Sequence, residues 1–286
     1  MPDSANPFLR WLADGGPAPR LLVAFAHPDD ETIGAGGVLR RLGDARLVCV
    51  TDGAPHRREW WGDPSLNSRE EYAAVRRREL RAALAVVGIG AERVCGFGVA
   101  DQEASAHLAH IARRMAGEIA AAQPDAVLAP AYEGGHPDHD AVAFAVHAAC
   151  ALLAAEGRRC PAIVEYPLYH AEEERMVVGS WLPGAEAGAV TVRLSDEEQA
   201  AKREMIACHA SQSATLAQFP VDAERFRPAP AYDFRQPPHA GQLNYEVFGW
   251  ADGAAWRSRA ADALRELGIG PADGANGFGA LIGVPA

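Results

Sequence analysis

Apolar and polar positions along the chain follow two alternating rhythms. Short runs of consecutive apolar residues recur at 20–26, 46–51, 93–97, 126–130 and 162–166. Between them lie longer stretches with helical spacing: "ETIGAGGVLRRLG", "SREEYAAVRRRELRAALAVVG", "ASAHLAHIARRMAGEIAAAQ" and "DHDAVAFAVHAACALLAAEG". Each meets a stop signal, in turn Gly43, Gly88, Pro124 and Gly157. The short runs are nearly all apolar rather than alternating, as expected of strands covered on both faces. Strand, helix, strand, repeated, predicts a parallel sheet between two helical layers.

After about residue 170 the rhythm changes. "VTVRLSDEEQAAKREMIACHASQ" predicts a strand and then a long helix, opened by Ser195 with Glu198 at capping-box spacing. A Pro- and aromatic-rich stretch follows, "RPAPAYDFRQPPHAGQLNYEVFGW", and then a Gly-rich, loosely held tail over 270–286. The expected class is α/β: a Rossmann-like three-layer sandwich with a mostly parallel sheet over 1–170. A C-terminal strand–helix extension over 171–286 is expected to pack on the same domain.

Composition narrows the function classes. The 286 residues are 49% hydrophobic, enough for a sizeable core, and carry a formal charge of −11. Such a balance offers no electrostatic footprint for a nucleic-acid backbone or an anionic membrane. The five cysteines, Cys49, Cys95, Cys150, Cys160 and Cys208, are scattered and form no CxxC pair. That argues against a disulfide framework and a thiolate zinc site. No run reads as a membrane span, and the first residues hold no apolar leader core. The expectation is a cytoplasmic protein with neither nucleic acid nor membrane as partner.

The candidate chemistry sits after two of the strands. "AHPDDE" (26–31) follows the first and "EGGHPDHD" (133–140) the fourth. In an open parallel sheet ligands bind outside the carboxyl ends of the strands, so both segments lie on one edge. They face each other if the first and fourth strands are neighbours. His and carboxylate donors with a position left for water describe a catalytic divalent-metal site. His27 and Asp30 from one turn, with His139 opposite, form the expected ligand set. Asp29 is then free to act as a base, and His136 to donate to a developing oxyanion. Zinc is the expected ion, and ferrous iron suits the same donors. His56, beside Trp60 and Trp61 in "DGAPHRREWWGDP", is expected at a substrate mouth.

The pairing of "AHPDDE" with "HPDH" (136–139) resembles the PIG-L/LmbE-like zinc de-N-acetylase family. That family includes N-acetylglucosaminyl-phosphatidylinositol de-N-acetylases and the deacetylases of mycothiol and bacillithiol synthesis. The likeness implies His27, Asp30 and His139 as ligands, and Asp29 as general base and then acid. It implies His136 as oxyanion stabiliser, with Asp138 orienting it. Arg76 in "RRREL" is similar to a family arginine that contacts substrate, and Asp101 in "GFGVADQ" to an acid that binds sugar hydroxyls. The implied reaction is hydrolysis of the N-acetyl group of a small N-acetylated sugar or glycoside.

Taken without the resemblance, the residues leave other readings open. One is a metal-dependent phosphohydrolase using the His139-Asp140 pair. Another is a non-catalytic sugar-binding protein of the same fold. The "GAGG" run at 34–37 lacks a phosphate-loop fingerprint and reads as close packing of the first helix. His107 and His110 read as surface residues, and His147 as packing.

Overall fold

Leu21–Phe25 (β1) is apolar at every position because both of its faces are covered. Leu22 and Ala24 enter one helical layer, while Leu21, Val23 and Phe25 enter the other, following the two-residue alternation of a strand. The computed structural model describes residues 6–63, 65–173 and 175–270; the tail over 271–286 lies outside the described residues. Parallel to β1 on either side run β2 (Arg46–Pro55) and β4 (Ala126–Pro130). Beyond these lie β3 (Val94–Asp101) and β5 (Ala162–Tyr166), also parallel. The adjacency of β1 and β4 makes a topological switch point between them.

One layer contains α4 (Leu108–Ala122), α5 (Pro137–Ala155) and α9 (Gly253–Glu266). The other contains α1 (Pro7–Asp14), α2 (Asp30–Leu39), α3 (Arg69–Val86) and α6 (Asp196–Cys208). Two elements from late in the chain complete the sheet: β9 (Ala223–Pro228) pairs antiparallel with β5, and β8 (Val190–Arg193) with β9. A hairpin of β6 (Tyr169–Glu172) and β7 (Arg175–Val178), a short α7 (Ser213–Leu216) and a short α8 (Asn244–Val247) fill the connections. The mostly parallel seven-stranded sheet between helical layers is the expected α/β fold.

Several local expectations hold for stated reasons. The Ser195 side chain accepts the Glu198 amide while Glu198 reaches back to the Ser195 amide, which is the reciprocal box. A Cβ on Gly34 would enter the Tyr166 ring, and one on Gly37 would enter the Leu194 side chain. The glycine run therefore lets α2 lie close to its neighbours. The expectation that no run is long enough to span a membrane needs correction: α5 has the length and mean hydropathy for it. It is apolar on nearly every side because it is a core helix, buried at all but three of its nineteen positions. Strands β2 and β3 each run four residues past their expected ends, with register shifts after Cys49 and Thr51. That extension carries Asp101 up to the site.

One buried ion pair ties α6 and β9 to α2. The Lys202 ammonium donates to the Ile33 carbonyl and to Glu224 Oε1, both at 2.8 Å. Glu224 in turn accepts the amides of Gly37 and Val38 at 2.8 and 2.9 Å. Neither charged side chain reaches water. Breaking such a pair by removing one partner strands a buried charge, at a cost of about 3–5 kcal/mol. Lys202→Met is expected to lower stability by about that amount in urea unfolding. Adding Glu224→Gln, which removes the orphaned charge and keeps the acceptor, should restore part of it.

Candidate active site

The turn from β1 into α2 is closed by its own first helical residue. Asp30 Oδ2 accepts the amides of Ala26 and His27 at 3.0 and 2.7 Å. Its other oxygen, Oδ1, lies 3.2 Å from His139 Nε2 on α5. His27 Nδ1 is 3.2 Å from His139 Nε2 and 3.4 Å from Asp30 Oδ2. Ligand atoms around a tetrahedral ion with bonds of about 2.0–2.1 Å stand about 3.3–3.4 Å apart. The two histidine nitrogens stand at about that spacing, and the Asp30 carboxylate reaches one with each of its oxygens, so the three side chains could hold a single divalent ion. His27 Nε2 lies 3.3 Å from both Asp101 and Asp138, so its proton faces these carboxylates and Nδ1 keeps its lone pair for the cluster. Wider groupings are also present: His27, His136 and His139, and His27, Asp101, His136 and Asp138, each within 4.8 Å.

Asp29 stands beside this cluster in a strained backbone conformation, φ 150°. Such geometry costs on the order of 1–3 kcal/mol and persists only where neighbours enforce it. Arg76 from α3 is the main enforcer. Its Nη2 donates to Asp29 Oδ2 and to the Pro28 carbonyl, and its Nη1 to the Gly53 carbonyl, all at 2.9 Å. Gly53 has φ 64°, and a Cβ there would press on Pro28 and on the Arg76 guanidinium. Burial pushes the Asp29 carboxyl up to about 7 against the opposing pull of Arg76. Burial would raise Asp101 too, but His27 beside it holds that carboxyl at about 2.

His136 caps α5: its Nδ1 accepts the Asp138 amide at 3.2 Å. That bond places the ring proton on Nε2. Burial and the nearby His27 hold the ring's pKa well below that of a free imidazole, so it is a neutral donor. These groups open into a cleft of about 260 Å³. Ile33, Trp60, Tyr169, Leu216, Phe219 and Trp250 form its apolar walls.

Comparison with known proteins addresses the same residues. The model of the PIG-L family, GlcNAc-PI de-N-acetylase, matches residues 22–150. The chain is 29% identical over 204 residues to a probable N-acetyl-alpha-D-glucosaminyl L-malate deacetylase 2 of Bacillus anthracis, covering 68% of this chain and 82% of that protein. It is 33% identical over 143 residues to the 1D-myo-inositol 2-acetamido-2-deoxy-alpha-D-glucopyranoside deacetylase of Mycobacterium sp. strain KMS. That alignment covers 42% of this chain and 46% of the mycobacterial protein, so the chain spans about half the length of this relative. The fold is that of N,N'-diacetylchitobiose deacetylase from Pyrococcus horikoshii, with a TM-score of 0.52, 19% identity, and coverage of 78% and 87% of the two chains.

Within the PIG-L segment most expected residues converge, but some have other partners. His27, Asp29, Asp30, Arg76, Asp101, His136 and His139 all line the cleft. Asp138 holds His136 through its backbone amide, while its carboxylate lies 3.9 Å from His136 Nδ1. That carboxylate faces His27 and accepts the amides of Gln102 and Ala104 at 2.6 and 3.0 Å, fixing the turn after β3. Arg76 has its terminal nitrogens committed to the protein, so its place is behind Asp29 rather than free in the cleft. His56 is outside the lining, 65% exposed, and pairs with Glu103 at 3.1 Å. Asp140 turns away from the cleft and accepts the amides of Glu133 and Gly134, which removes the His139-Asp140 phosphohydrolase pairing. His107 and His110 are exposed, and His147 is buried.

Sequence reasoning missed the supports. Glu31 accepts the Asp29 amide at 3.1 Å and the Thr32 hydroxyl at 2.6 Å, and Thr32 reaches His209 Nε2 at 3.3 Å. Glu133 accepts the amides of Leu168 and Tyr169, placing the Tyr169 ring 5.1 Å from that of His139. The one available signal was the unbroken acid run, since Glu31 has no solvent to face at the start of a buried helix. Cobalt titration separates the possible ligand groupings. His27→Ala or His139→Ala is expected to weaken cobalt binding by about a hundredfold or more. His136→Ala should retain the visible spectrum of a tetrahedral centre.

Proposed function

We propose that this chain is a metal-dependent N-deacetylase that hydrolyses the acetamide of an N-acetylglucosamine-type sugar to acetate and a free amine. The observation that carries the reading is the meeting of His27 Nδ1 and His139 Nε2, 3.2 Å apart, with the Asp30 carboxylate, whose Oδ2 is 3.4 Å from the first and Oδ1 3.2 Å from the second, beside a buried carboxylate, Asp29, on the same turn. His27, Asp30 and His139 would hold the ion, with zinc or ferrous iron suited to the donors. When bound, such an ion supplies Lewis-acid polarisation of the acetyl carbonyl and lowers the pKa of an adjacent water.

The chain's own groups do the rest. Asp29 takes a proton from the attacking water, and Arg76 keeps its carboxylate aimed into the cleft. His136, neutral with its proton on Nε2, donates to the carbonyl oxygen as that oxygen gains negative charge. The C–N bond then breaks, and Asp29 passes its proton to the departing amine. Asp101 lines the same cleft and is held ionised, suited to accept sugar hydroxyls. The substrate class is weighted by the relatives, both named for N-acetylglucosamine-type glycosides. All five cysteines are unpaired, which fits a reducing compartment, and we read the enzyme as cytoplasmic.

Amine release from N-acetylglucosamine, its disaccharide and simple N-acetylglucosaminides tests the reading. Turnover should vanish on chelation and return with zinc. Asp29→Ala should retain the ion and lose about a thousandfold or more in kcat, and His136→Ala about a hundred- to thousandfold. Wild-type turnover in Asp29→Ala, or turnover indifferent to the ion, would refute the mechanism.

A further inference from the structure

One wall of the cleft has no part in the chemistry above. Trp250 lines it, with its ring 5.1 Å from that of His136. The Phe248 ring stacks on Trp250 at 4.9 Å and 17°. Phe248 is 51% exposed, one of two exposed large hydrophobic side chains among the described residues. An exposed aromatic stacked on a cleft residue extends that wall to the surface.

The pair is firmly mounted. The Asn244 amide donates to the Gly134 carbonyl and its side chain to the Gly135 carbonyl, at 2.9 and 3.1 Å. Trp250 N donates to the Tyr245 carbonyl at 2.8 Å, while Glu246 accepts the amides of Leu243 and Gly253, both at 2.9 Å. The aromatic pair is thus tied to the same loop that carries His136.

Charge in the cleft limits what can rest there. Among the described lining residues Arg76 is the one arginine or lysine, and its terminal nitrogens are committed to Asp29, Pro28 and Gly53. Asp29, Asp30 and Asp101 face the same space. Arg57, outside the lining, is held over the Trp60 ring at 4.7 Å with Glu59 at 3.9 Å. Away from the residues that would hold the ion, an anionic substituent would find no arginine or lysine on the lining with uncommitted terminal nitrogens. The volume of about 260 Å³ lies below the usual range for ligand pockets, about 300–1,000 Å³. A group joined to a sugar seated there would leave along the walls.

We propose that Phe248 and Trp250 form an aglycone subsite for an uncharged aromatic group linked to the N-acetylated sugar. This rests on the deacetylase reading above. Acetate release is compared for the methyl, phenyl and L-malyl glycosides of N-acetylglucosamine. The phenyl glycoside is expected to exceed the methyl by about tenfold in kcat/KM, mainly through KM. The malyl glycoside should fall below the methyl. Phe248→Ala should bring the phenyl glycoside down to the methyl level and leave the methyl unchanged, while Phe248→Tyr keeps the preference. Equal losses on both glycosides, no phenyl preference, or a malyl preference would overturn the subsite. Binding of phenyl glucosaminide, the deacetylated product, is measured separately by tryptophan fluorescence and needs no turnover. Saturable binding that weakens about tenfold in Phe248→Ala supports the subsite even if no acetate is released. Binding that is absent, or indifferent to Phe248, removes it whatever the activity.

Discussion

The amides of Ala26 and His27 leave β1 with no neighbouring strand to accept them. Both are buried, and a buried amide without a partner costs as much as a lost hydrogen bond. Asp30 supplies the acceptor with one carboxylate oxygen, and this turns its other oxygen toward His139. The same closure places Asp29 in its strained conformation at the mouth of the turn. Local backbone satisfaction and assembly of the donor cluster are thus one event. Replacing the turn by a looser one would release both together.

Three consecutive acids can share this turn because each is stabilised from a different direction. Asp30 faces His27 and His139, Asp29 faces Arg76 on α3, and Glu31 accepts a hydroxyl and a backbone amide. Burial pushes Glu31 up to about 8 and Asp29 to about 7, while His139 and His27 hold Asp30 low despite its burial. A second set of contacts supports the opposite loop. Asp140 accepts amides from Glu133 and Gly134, and Trp256 Nε1 donates to the Pro137 carbonyl at 3.0 Å. The late segment that carries Trp256 therefore braces the helix start that carries His136 and His139.

The strands were legible because burial on both faces leaves mostly apolar residues in them, and the helices because their stops are glycine or proline. The two acidic and histidine-rich segments were legible because such residues are expensive after a buried strand unless they do something. Other parts left no local trace. Glu165 sits in an otherwise apolar β5, and its reason is Arg227 on β9, opposite in register and donating at 3.0 and 3.1 Å. The α1 helix does carry a local start signal, Asn6 as cap with Pro7 at its first position, but its docking rests on Phe8 meeting the Phe226 ring at 5.1 Å, a contact that only packing sets.

The sequence by itself determined the α/β alternation, the edge on which chemistry would gather, and the residue types that gather there. Each follows from periodicity or from the cost of burying a polar side chain, and both are local. Only the tertiary structure decided which of these residues touch. It set Arg76 behind Asp29, turned the Asp138 carboxylate from His136 to His27, sent His56 to the surface, and brought Phe248 and Trp250 to the cleft. Those outcomes depend on distances between segments more than forty residues apart in most cases, and on where each rigid helix comes to rest on the sheet. Spacing along a chain carries no information about that until the layers have packed.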